Sequence, residues 1–189
     1  DAANLVDLVT SDITSVAAID EDTAFLTGDG AGKPLGILPS SGNGNSLTEV
    51  ASGNASALTA DGIKGLKRGI ASQYRQNGRW VANSDTYALI EKLKDGSGQY
   101  IFGDLSDSGM LLGREALESD AMPDVAATAY PLLFADMSGY WVVERAGLTI
   151  VRFQDSNTGI NKVEYHVRRR IGGRPVETWK MAVMDVNAS

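Results

Sequence analysis

The 189-residue chain has no cysteine and a single histidine, His166. The first absence removes disulfides, thiolate nucleophiles and cysteine-bound zinc. The second removes multi-histidine metal sites and leaves His166 as the only base for a Ser-His-Asp triad. Long apolar runs are also missing: none approaches the ~18 residues of a membrane-spanning helix. The N-terminus has no basic stretch leading into an apolar one, so no signal peptide is expected. Positive charge is scarce, with 17 Lys and Arg against 24 Asp and Glu, a net charge of −7. It is also unevenly placed. Residues 152–189 carry seven cations (Arg152, Lys162, Arg168, Arg169, Arg170, Arg174, Lys180) against Asp155, Glu164, Glu177 and Asp185, a local +3 that leaves −10 for the rest. An acidic body excludes broad nucleic-acid binding, which needs a basic surface.

What remains is enough for one domain with a sizeable core: 20.0 kDa and 43% hydrophobic residues. From Asn4 to Asp20 the residues Leu5, Leu8, Val9, Ile13, Val16, Ala17 and Ile19 follow helical spacing. Ser40–Ala57 is rich in Gly, Ser and Asn and reads as an exposed loop or a weak strand pair. Thr59-Ala60-Asp61 opens a second helix reaching about Tyr74. Arg79–Asn83 is a short buried strand, and Ser84 is placed to cap a helix to Leu93. After Gly109 the pattern turns to strands: Met110–Leu112, Leu132–Phe134, Tyr140–Val143 and Leu148–Phe153. Lys162–Ile171 and Val176–Met184 follow, and Gly172-Gly173 between them suggests a hairpin forming a long ribbon. Helices first and strands later make this an α+β chain.

The stretch TAFLTGDGAGKPLGIL, from Thr23 to Leu38, concentrates glycine around one lysine. A phosphate loop needs G-x-x-x-x-G-K-[ST] between a strand and a helix. Here Thr27 stands where the first glycine belongs and Pro34 where the hydroxyl belongs, and proline offers no N–H to a phosphate. A dinucleotide fingerprint starting at Gly30 needs glycine at position 35, which is Leu35. The glycines instead suit a tight crossing that needs positive φ. Glu21, Asp22 and Asp29 match no EF-hand. They read as solvated acids, as do Glu118, Asp120 and Asp124. His166 has no serine or aspartate partner at hand and reads as structural. Trp80, Trp141 and Trp179 lie in strand-like runs, where core or interface packing is expected. No catalytic, metal or cofactor site is expected.

Five blocks, in order, resemble the HK97-type tailed-phage major capsid proteins. AFLTGDGAGKPLGIL is similar to that family's F-L-x-G-D-G-x-G-x-P-x-G-[IL] signature. Trp80–Phe102, Leu111–Asp124, Pro131–Arg152 and the closing EYHVRRRIGGRPVETWKMAVM resemble its later blocks. Ala135 and Ala116 depart mildly from the pattern. The resemblance implies an HK97-like capsid fold and a structural subunit of an icosahedral shell enclosing double-stranded DNA in a phage or prophage. Residues 1–27 would be the end of a spine helix, 28–130 an axial domain, and 131–189 return strands with a peripheral ribbon. Gly28, Asp29, Gly30, Gly32, Pro34 and Gly36 would form the structural joint. Arg168, Arg169, Arg170 and Arg174 are the candidate intersubunit contacts. The implied partners are further copies in pentamers and hexamers, with scaffold or portal proteins, no membrane, and no sequence-specific contact with packaged DNA. The implied place is the virion capsid, assembled in the host cytoplasm. The resemblance is to the family's C-terminal portion, starting inside the spine helix, without the N-terminal arm and extended loop that precede that helix in family members. Two alternatives stand beside this reading: an encapsulin-like cellular compartment, and a nucleotide-binding enzyme using Gly28–Lys33.

Overall fold

The computed structural model describes residues 2–39, 45–153 and 164–187. The first helix, α1 (Ala2–Thr27), runs past the expected end at Asp20. Its last turns are held by Thr23 and Thr27, whose hydroxyls donate to the carbonyls of Ile19 (3.0 Å) and Thr23 (2.9 Å). Leu26 anchors the end of the helix by entering the core. Burial of one leucine thus carries the helix through the acidic stretch that local reading treats as its terminus.

Two sheets follow. The larger has six strands: β1 (Thr48–Ala51), β2 (Arg79–Ala82), β3 (Met110–Leu111), β4 (Arg114–Glu118), β5 (Leu133–Ala135) and β8 (Met181–Asp185), in the order β1-β8-β5-β2-β4-β3. β1 runs parallel to β8 and β2 parallel to β4; the other pairs are antiparallel. The smaller is a two-stranded ribbon of β6 (Tyr140–Phe153) and β7 (Glu164–Pro175).

The period of two along a strand sorts the core into two layers. Trp80, Ala82, Phe134, Ala182 and Met184 face helices α2 (Ala60–Arg68) and α3 (Ser84–Glu91), meeting Ile63, Leu66, Tyr87 and Ile90. Val81, Leu133, Ala135, Met181 and Val183 face the opposite way, onto Leu26, Ile37, Leu38, Leu47 and Met122. β5 is buried along its whole length and β8 up to Met184, as the continuous apolar run MAVM implies. Trp80 anchors the first layer. Its indole N–H donates to the carbonyl of Leu111 at 2.7 Å, and its ring lies 4.5 Å from that of Phe134. A four-residue helix, α4 (Leu105–Ser108), precedes β3.

Several local expectations are corrected. The second helix stops at Arg68, where Gly69 turns its N–H back to the carbonyls of Gly65 and Leu66. Asn83, not Ser84, caps α3, accepting from the N–H of Thr86 at 2.8 Å. Part of the loop at 40–57 is the edge strand β1; residues 40–44 lie outside the described residues. Tyr140–Val143 and Leu148–Phe153 form one strand, with irregular register between Glu144 and Thr149. Gly172-Gly173 is not a hairpin turn. Both glycines lie inside β7, paired with Val143 and Val142. The ribbon's second strand is therefore β6, and Met181–Asp185 joins the six-stranded sheet. The reason is steric: a Cβ at Gly173 would sit 2.6 Å from the Tyr140 hydroxyl, so the glycine admits that ring rather than bending the chain. Lys162 and Val163, expected in this strand, lie outside the described residues.

Candidate assembly joint and ribbon

The loop after α1 folds back onto the helix that precedes it. Gly28 donates to the carbonyl of Ala24 (3.0 Å), Gly36 to Gly28 (2.8 Å), Ile37 to Phe25 (2.9 Å) and Leu38 to Leu26 (2.9 Å). Asp29 and Leu35 form an antiparallel bridge across the turn. A Cβ on Gly28 would lie 2.2 Å from the Pro34 carbonyl oxygen, and one on Gly36 would lie 2.5 Å from the Gly28 nitrogen. These two glycines are contact points between backbones. Gly30 (φ +79°) and Gly32 (φ +74°) serve differently, taking the left-handed conformation at the tip. At that tip the Asp29 carboxylate accepts from the N–H of Ala31 at 2.9 Å, which holds its pKa below the ordinary value, and Lys33 at 3.7 Å adds to this.

The same loop is tied to the root of the ribbon. Leu35 donates to the carbonyl of Gly173 at 2.8 Å, and the Tyr140 hydroxyl donates to the carbonyl of Leu35 at 2.9 Å. The Tyr140 ring meets Phe25 of α1 edge-on at 5.7 Å. Burial pushes the Tyr140 phenol up to about 12. Helix, glycine loop and ribbon thus converge on Tyr140 and Gly173, neither of which the sequence marks as a joint residue. The Gly-Gly pair is the one available signal, since glycine inside a strand often marks close backbone approach.

This geometry disfavours a phosphate. The loop follows the C-terminus of α1, where the helix dipole presents carbonyl oxygens and partial negative charge. Anion loops sit at the opposite end. The N–H groups of Gly28, Ala31, Leu35 and Gly36 are already engaged within the chain.

The basic run divides between two faces of the ribbon. Arg169 turns to α1, 2.6 Å from the Glu21 carboxylate and 3.4 Å from that of Glu144. Arg168, Arg170 and Arg174 are exposed. His166 lies 3.2 Å from Glu164 on the exposed ribbon. The other acids are dispersed. Asp22 accepts from the Ser119 hydroxyl at 2.6 Å, and Asp124 from the Asn83 amide at 2.7 Å. Among the described residues no group of three His, Asp or Glu gathers as a metal-ion site, and no helix is long and apolar enough to cross a membrane. Of the tryptophans, Trp80 is core, while Trp141 and Trp179 are exposed.

The sequence profile of the phage capsid family matches residues 1–186. The chain belongs to the phage capsid family. Among solved structures, this capsid-family chain is 30% identical to the capsid of a native GTA particle, with a TM-score of 0.86, covering 96% of this chain and 65% of that one. The capsid of an empty GTA particle gives 30% identity and a TM-score of 0.85, covering 96% and 66%. The chain therefore spans about two thirds of the length of those capsid chains. A structure from Gordonia phage Cozz shares the fold at 15% identity, with a TM-score of 0.65 and coverage of 99% and 65%. No curated protein matches.

Proposed function

We propose that this chain is the shell-forming part of a major capsid subunit, a structural protein without catalysis, in an icosahedral phage-type particle that encloses double-stranded DNA. One observation carries the reading. A six-stranded sheet extends a helix and a two-stranded ribbon that it does not itself cover, and one loop ties the two together. Two long strands alone are marginal in water. Such extensions are sensible where neighbouring copies complete them. On this reading the segment 28–130 is the axial domain. The helix at 1–27 and the ribbon within 131–189 are peripheral, and β5 and β8 are the return strands that bind the parts together. Gly28, Asp29, Gly30, Gly32, Pro34 and Gly36 are the joint. Copies of the subunit would meet in pentamers and hexamers, with scaffold or portal proteins as further partners and the virion capsid as the place of action. Its acidic surface keeps packaged DNA from adhering.

Negative-stain electron microscopy of the protein expressed from its whole gene tests this. Uniform closed particles are the expected result. Persistent monomers, with or without co-expressed neighbouring phage genes, would overturn it.

A further inference from the structure

We infer that the outward face of the ribbon docks on the outward face of α1 of a second copy, head to tail. The inference rests on the capsid reading and names the surfaces that meet. Cross-strand partners share a face of a ribbon. The register therefore places Arg168, Arg170 and Arg174 together with Trp141, Val143 and Val151, and puts the His166–Glu164 pair at the far end of the same face. This is the face opposite Arg169, which reaches the chain's own α1. All six side chains are exposed, Trp141 at 59% and Val143 at 66%. Among the described residues no carboxylate lies within ion-pairing distance of the three arginines. A face of cations interleaved with large apolar groups asks for a partner that is acidic and apolar together.

Helix α1 has that chemistry. It contains Asp7, Asp12, Asp20, Glu21 and Asp22 and not one Lys or Arg. At about 100° per residue, Leu8, Asp12, Val16 and Ile19 fall on one line along the helix. Leu26 continues that line into the core, whereas Val16 and Ile19 on the same line are 58% and 66% exposed. The half-buried Val9, Ile13 and Ala17 form a separate stripe, so the chain's own packing uses the outward one only towards its end, at Ile19 beside Glu118–Ala121 and at Leu26, and leaves Leu8, Asp12 and Val16 open. The two faces belong to different parts of the surface, so the contact is heterologous and closes into a ring when its rotation permits. Duplex DNA fits the arginines less well. The exposed Trp141, Val143 and Val151 gain nothing from phosphates, and the remainder of the molecule, at −10, repels them.

The test is a charge-reversal cycle on the protein expressed from its whole gene, read by sedimentation and electron microscopy. Thermal melts check that each variant is folded. Arg168→Glu with Arg170→Glu, or Asp12→Arg alone, should weaken association by about tenfold or more, because like charges then oppose each other across the contact. Combining all three should restore most of the association. Asp107→Arg, an equal charge change on an exposed acid elsewhere, should not restore it. The absence of native cysteine supplies a second readout. A Val16→Cys chain mixed with a Val143→Cys chain should be joined by a short bismaleimide linker, and neither variant should couple to itself. Equal rescue by Asp107→Arg, or unchanged assembly of the arginine variant, overturns the docking while the capsid reading stands. Loss of duplex-DNA binding in the arginine variant with unchanged association would reassign the face to nucleic acid. Failure of the unaltered protein to associate at all would overturn both.

Discussion

Gly32 and Gly36 lie four residues apart and resist substitution for different reasons. A Cβ on Gly36 meets the Leu26 carbonyl oxygen at 2.6 Å, and no side-chain motion relieves a backbone contact. Gly32 has open space around it and only its φ of +74° to defend. Gly36→Ala should therefore cost about 3 kcal/mol of folding stability, the scale of forced overpacking. Gly32→Ala should cost about 1 kcal/mol, and Gly32→Asn less, since asparagine tolerates the left-handed region. Denaturant melts that rank the three in another order would show that the loop is not packed in this way. Tyr140 adds a pH signature. Its phenol titrates near 12 in the folded chain against an ordinary 10, so folding favours the protonated form. The stability this contributes is complete below about pH 10 and is lost as the pH rises through 12. Tyr140→Phe should remove that part of the alkaline decline. It should also cost about 1 kcal/mol at neutral pH through the lost bond to Leu35.

Elements form where local signals and burial agree, and the cap of α3 separates the two. Ser84 and Asn83 are both good capping residues by type. Asn83 takes the role because its amide also donates to Asp124 at 2.7 Å and to the Met122 carbonyl at 3.3 Å, fixing the side chain from behind. Asn83→Ala should lower stability by about 1–2 kcal/mol, whereas Ser84→Ala should stay within about 0.5 kcal/mol, as thermal or urea melts can check. The same logic explains which elements are legible in the sequence. β2, β5 and β8 are readable because short apolar runs mark them. α2 is marked at its start by Thr59 but not at its end. β4 is invisible, since REALE carries no strand pattern and pairs only because β2 and β3 flank it. The ribbon is recognisable as a ribbon, but local pattern assembles it from the wrong strands. Gly172-Gly173 has turn composition, and only the distant Tyr140 ring explains why it stays extended. The glycine loop is the most readable part of the candidate site, because its signature is local. Its anchors, Tyr140 and Gly173, lie over a hundred residues away and leave no local trace.

At the scale of the whole molecule, charge separation decides how copies approach. Residues 152–189, which include the basic strand β7, carry +3 and the rest of the chain −10, so encounters that bring the two together, head to tail, are favoured over symmetric ones. The 189-residue chain spans about two thirds of the GTA capsid chains it resembles. Association through the ribbon–helix contact is expected to be weak and reversible. Exposed ion pairs contribute little each and are screened beyond ~8 Å at physiological ionic strength. Sedimentation velocity of this chain should accordingly show monomer with small oligomers at low salt, shifting towards monomer as salt rises. If the apolar part of the contact, with Trp141, Val143 and Val16, dominates instead, the oligomers will persist in salt and disperse with Trp141→Ala.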